Sequence, residues 1–121
     1  MDRMWASLAV AALLATACAS MPAPTGEVAK ADLAVNKADA VNAAEVDPLD
    51  MRLAREKLEK SKLEMKEENY IKARRLAESA EADAMVAEAK ARATRAQQAV
   101  QQLEQDANSL KSGASAGGTQ K

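Results

Sequence analysis

Apolar positions along this chain recur at three- and four-residue spacing, after one early run that is apolar almost throughout. That run, Met4 to Ala15, reads Met-Trp-Ala-Ser-Leu-Ala-Val-Ala-Ala-Leu-Leu-Ala. It is too short for a transmembrane helix, which needs about 20 apolar residues. It fits the apolar centre of a signal peptide, about 7–15 residues long. Arg3 gives a basic start that Asp2 offsets, and Ala15-Thr16-Ala17 supplies the small residues of a cleavage site. Residues 1–17 therefore read as an export segment.

Beyond it, residues 18–26 carry two prolines and small side chains and predict a flexible tether. Residues 27–111 predict a helical domain. Its first helix runs from about Glu27 to Ala44, with Val28, Ala31, Val35 and Ala38 on one face. Asn36 and Asn42 weaken it. The second helix opens on a clear signal. Asp47 can cap it, Pro48 suits the first helical position, and Val46 and Met51 sit where a hydrophobic staple forms. Its stripe is Met51, Ala54, Leu58, Ser61 and Met65. Glu67-Glu68-Asn69 is the turn, with Asn69 placed to cap a third helix from Tyr70 to about Lys111. Gly113 stands where a left-handed helix end is expected. Residues 112–121, rich in Gly, Ser and Thr, predict a disordered tail.

The third helix carries two stripes. One is Tyr70, Ala73, Ala77, Ala80, Ala84, Ala87 and Ala91. The other is Val86, Ala89, Ala93, Ala96, Val100, Leu103, Ala107 and Leu110. Val86 and Ala87 are one step apart, which sets the stripes about 100° apart. This helix would be roughly 60 Å long and the second about 28 Å, so a hairpin leaves the distal half uncovered. Two solutions are open. The first helix continues in line with the second and covers the distal half, or it folds back into a three-helix bundle and the bare stripe meets another chain. The asparagines in the first helix favour the bundle with self-association. The fold class is all-α, a helical hairpin or three-helix bundle with one long alanine-rich, coiled-coil-like helix.

Composition narrows the chemistry. The chain has 17 basic and 18 acidic residues and a net charge of −1, which offers nucleic acid no basic surface. Trp5 lies in the export segment, so Tyr70 is the only aromatic residue beyond it, and the core must be thin helix-on-helix seams. There is no histidine and one cysteine, Cys18. That removes the usual catalytic triads and zinc sites. Glu78, Glu81, Asp83 and Glu88 invite a cation site, but Arg74, Arg75, Lys90 and Arg92 stand beside them, and ion pairing is the better account. Met21, Met51, Met65 and Met85 are scattered and read as core or linker filling. The expectation is no enzyme, no metal and no cofactor.

The segment Ala15-Thr16-Ala17-Cys18 resembles the lipobox of bacterial lipoproteins. The resemblance implies that Cys18 is acylated with palmitate-type chains and becomes the new N-terminus. Ala15 departs from the family's usual leucine, and Leu14 sits one place early. Ordinary secretion without acylation satisfies the same small residues. Ala19 is not aspartate, and by the sorting rule of enteric bacteria this implies the outer membrane.

Further on, the chain reads Pro48-Leu49, Leu53-Ala54-Arg55-Glu56-Lys57-Leu58, Asn69-Tyr70-Ile71-Lys72-Ala73-Arg74-Arg75-Leu76-Ala77-Glu78, Ala80-Glu81-Ala82-Asp83-Ala84 and Ala87-Glu88-Ala89-Lys90-Ala91. These residues resemble the bacterial family called domain of unknown function 4398, over about Asp47 to Ala99. Ser61 stands where that family commonly has alanine. The resemblance implies an envelope location, often as a lipoprotein, and no known enzymatic chemistry. Members often precede an OmpA-like peptidoglycan-binding domain, and that activity is not carried to this chain. A tetratricopeptide hairpin also has a tyrosine at the Tyr70 position, but only one hairpin is present and its second helix is far too long.

The leading expectation is a non-enzymatic lipoprotein held at the outer membrane and facing the periplasm, acting as a structural or interaction module with itself or an envelope partner. The alternative is a soluble periplasmic binding or holdase-like protein. A minor alternative joins Lys121 to peptidoglycan, as in small helical lipoproteins resembling the major outer-membrane lipoprotein.

Overall fold

The structure, a computed structural model, describes residues 21–117. The export segment, Cys18 and Lys121 lie outside the described residues. All regular structure among the described residues is α-helical: α1 spans Thr25–Ala40, α2 Ala43–Val46, α3 Pro48–Lys66 and α4 Tyr70–Gly117. The all-α class follows from the periodicity as predicted.

Helix α1 starts two residues before the expected boundary. Pro24 is buried, and its carbonyl accepts from the Val28 amide at 3.1 Å, so Thr25 and Gly26 belong to the first turn and not to a tether. The predicted face is the buried one, with Ala31, Val35 and Ala38 joined by Ala34. The helix stops at Ala40, short of Ala44, because Asn42 takes a left-handed conformation at φ 48°. Asparagine tolerates that region better than most residues. The asparagine read as a weakness is where the chain breaks. A single turn, α2, then places Ala43 in the core.

Helix α3 begins as its sequence requires. The Asp47 carboxylate accepts from the Asp50 amide at 3.1 Å, and Pro48 occupies the first turn, where its missing N–H costs nothing. Met51, Ala54, Leu58 and Ser61 are buried and Met65 is half-buried. Val46 stays exposed, so the staple is at most partial. At the other end the amides of Glu68 and Asn69 bond the carbonyls of Met65 and Glu64, with Glu68 left-handed at φ 62°. This is a Schellman ending with glutamate in the usual glycine position. The Asn69 side chain does not cap α4 as expected. Its amide donates back to Glu64 and Glu67, while its backbone carbonyl accepts from Ala73.

Ion pairs set the directions. Glu27 faces Arg74 near the start of α4, and Arg95 donates to the Val41 carbonyl at 2.7 Å, so α1 runs parallel to α4. Asp32 meets Lys62 and Asp39 meets Arg55, so α1 runs antiparallel to α3. The result is a three-helix bundle. The alternative in which the first helix continues in line with the second is overturned, because the turn through Asn42 and Asp47 reverses the chain.

The third long helix does not stop near Lys111 but continues to Gly117, with Gly113 inside it and not at a left-handed end. Glycine costs a helix about 1 kcal/mol relative to alanine, which weakens the last turns without forbidding them. Ser109, Ser112 and Ser115 donate their hydroxyls to backbone carbonyls three or four residues back, so their polar groups stay within the helix.

Candidate functional site

Alanine makes the bundle seam. Ala73, Ala77, Ala80, Ala84, Ala87 and Ala91 have no exposed surface. A methyl group at each position lets the axes of α1 and α3 approach α4 closely. Residues that precede the seam alanines turn towards α3: Asp83 meets Lys57 and Lys90 meets Asp47 and Asp50. Residues that follow them turn towards α1: Arg74 reaches Glu27. One residue on either side is a rotation of about 100° in opposite senses, which is why two helices share one stripe.

The second stripe faces away from both. Val86, Ala89 and Ala93 each follow a buried residue, Ala84, Ala87 and Ala91, by two positions. Two positions turn about 200°, so the stripes lie nearly opposite each other. The expected 100° is corrected: comparing Val86 with Ala87 measured the edges of the stripes and not their centres. Val86 is 45 % exposed, Val100 54 %, Leu103 68 % and Leu110 75 %. After Thr94 every described residue is exposed. The back of α4 is thus an apolar line that starts level with the bundle and runs on past it.

Three of the four carboxylates that invited a cation are ion-paired: Glu78 meets Arg74, Asp83 meets Lys57, and Glu88 meets Arg92. Among the described residues no group of three or more acidic or cysteine side chains is arranged to hold a metal ion. The Lys90 ammonium, followed by the Asp50 amide, holds the Asp47 carboxyl below its ordinary 3.8. The donors Lys72 and Asn69 hold Glu64 below 4.5.

Asp47 therefore caps α3 and ties it to α4 at once. The substitution Asp47→Ala should lower the thermal midpoint by several degrees at neutral pH. A depressed folded pKa contributes stability that is complete above the unfolded value and lost as pH falls through the folded one. The gap between variant and wild type should therefore shrink below pH 3.8, and unfolding curves at several pH values check this.

The profile of one family spans residues 26–103 of the chain, described as Domain of unknown function (DUF4398). The chain belongs to this family. The match reaches further than the resemblance from Asp47 to Ala99: it takes in α1, all of the bundle and the first third of the projecting part of α4. The family thus covers the back-face positions up to Leu103. No curated protein and no solved structure matches the chain.

Two features escaped the sequence reading. Ser61 is fully buried and donates to the Ala73 carbonyl at 2.7 Å, a cross-seam bond that alanine would lack. A serine inside an apolar stripe was the signal for it. Glu64 is also buried, held by Lys72 and Asn69 across the turn. Nothing in the spacing of a Lys-Leu-Glu-Met-Lys stretch distinguishes it from a solvated glutamate. At this same end of the bundle Met21, Tyr70, Ile71 and Arg75 line an open concavity.

Proposed function

We propose that this protein is a non-enzymatic lipoprotein of the bacterial envelope, a helical interaction module held at the outer membrane through Cys18. The observation that carries the role is the back of α4, where Val100, Leu103 and Leu110 stand in the open on a stretch of helix that no other described element covers. A helix owes most of its stability to packing of its apolar face, so such a length of helix is built for a partner. The address rests on the apolar run and Ala15-Thr16-Ala17-Cys18. Several acyl chains hold permanently where one gives only marginal binding, at about 0.8 kcal/mol per buried CH₂. In this reading an anchor at Cys18, with two residues between it and Met21 in sequence, holds the base of the bundle, the end where α1 and α4 begin, towards the membrane and leaves α4 directed into the periplasm.

The test is metabolic labelling with a clickable fatty acid. The wild type should be labelled and enter the detergent phase, and Cys18→Ala should do neither. Equal labelling of both would sink the anchor. A wild type that is exported, cleaved and soluble would instead favour the second reading, a periplasmic binding or holdase-like protein that uses the same exposed face.

A further inference from the structure

We infer that the back of α4 pairs with the same face of a second copy of this chain, as a parallel two-stranded coiled coil that begins level with the bundle and continues to the end of the helix. The inference rests on the reading of the chain as an interaction module and names its partner.

The spacing carries the first part of the argument. Val86, Ala89, Ala93, Ala96, Val100, Leu103, Ala107, Leu110, Ala114 and Gly117 alternate steps of three and four without interruption. An undistorted helix would drift about 20° per heptad from such a line, and a left-handed supercoil removes the drift. A face that merely met solvent has no need of so strict a period. In heptad terms Val86, Ala93, Val100, Ala107 and Ala114 are a positions, and Ala89, Ala96, Leu103, Leu110 and Gly117 are d positions. The larger residues then sort cleanly: both valines are at a and both leucines at d. β-branched residues at a with leucine at d favour two parallel strands.

Charge carries the second part. In a parallel pair each g residue faces the e residue of the next heptad on the partner chain. Those pairs are Arg92 with Gln97, Ala99 with Glu104, and Asp106 with Lys111. The last is an opposite-charge pair that forms twice by symmetry, and none of the three sets like charges together. Within one chain neither Asp106 nor Lys111 makes a salt bridge among the described residues, although neighbouring Arg92 and Glu88 do.

Geometry permits the assembly. The paired face lies about 200° around the helix from the seam, so α1 and α3 of each copy sit on the outside and do not obstruct the partner. Two chains with their bases at one membrane also present α4 in the same direction.

Disulfide trapping in the full-length chain in its native membranes tests this. Leu103→Cys places a thiol at a d position opposite its own copy, and Gln105→Cys places one on the outer face. On mild oxidation most of the Leu103→Cys chain should run at twice the monomer mass, while Gln105→Cys should stay at the wild-type level. Adding Asp106→Lys to Leu103→Cys should cut the yield several-fold, and adding Lys111→Asp to that pair should restore it. A Leu103→Cys adduct at another mass, with none at twice the monomer, overturns self-pairing while leaving the interaction-module reading in place. A dimer indifferent to the charge swaps overturns the parallel register. If wild type and both cysteine variants stay monomeric, with rapid hydrogen exchange throughout the distal helix, the inference and the reading beneath it both fail.

Discussion

Ala84→Leu is expected to cost about 3 kcal/mol, the upper part of the range for forcing extra carbons into a packed core. Ala84 has no exposed surface and lies in the seam that α1 and α3 share. A methyl group fits there because the axes have closed around it. Three further carbons have no space, so one helix must back away, and it takes its whole line of alanine contacts with it. For a domain of this size the thermal midpoint should fall by roughly 15 °C. The matched control is Ala82→Leu, two residues away on the exposed side of α4. It adds the same carbons in water and should stay within about 0.5 kcal/mol of wild type. Equal effects at the two positions would mean that the alanine stripe is not a close-packed seam.

The second large effect is the opposite change. Leu58→Ala should cost about 2–4 kcal/mol, from the lost burial and the cavity left behind. This core is made almost entirely of alanine, and Leu58 and Met51 are its two large apolar side chains from α3. The site is poorly able to collapse, because its alanine neighbours have no flexible side chains to move into the gap. Leu49→Ala on the same helix is the control: Leu49 is exposed, and its loss should cost less than about 0.5 kcal/mol. Chemical denaturation of the three proteins at one pH separates these outcomes.

The two effects have one origin. Small residues bring three helices together without a thick core, so stability depends on fit at a few positions and on ion pairs at the rims. Asp47, Lys90 and Arg95 do at the far end of the bundle what Glu27, Arg74 and Glu64 do near the base. Beyond Arg95 no contact among the described residues replaces them.

Much of this was legible in the residues alone. Period and composition determine the three long helical segments, because a helix repeats its face every three or four positions whatever it packs against. The start of α3 is local chemistry: an aspartate, a proline and a nearby amide make the same cap in any fold. The alanine stripe from Ala73 to Ala91 was legible too, since its three- and four-residue spacing puts those alanines on one face. Tertiary structure decided the rest. Asn42 and Glu68 adopt left-handed conformations; asparagine tolerates that region and glutamate does not announce it, and the turn at Asn42 folds α1 back along α4. Direction follows from pairs far apart in sequence, such as Asp39 with Arg55 and Glu27 with Arg74, which no local pattern connects. The back face of α4 is the clearest division: its heptad is written in the sequence, but whether α1 would cover it depended on a turn at Asn42. That turn sends α1 to the seam, and the apolar line stays in the open.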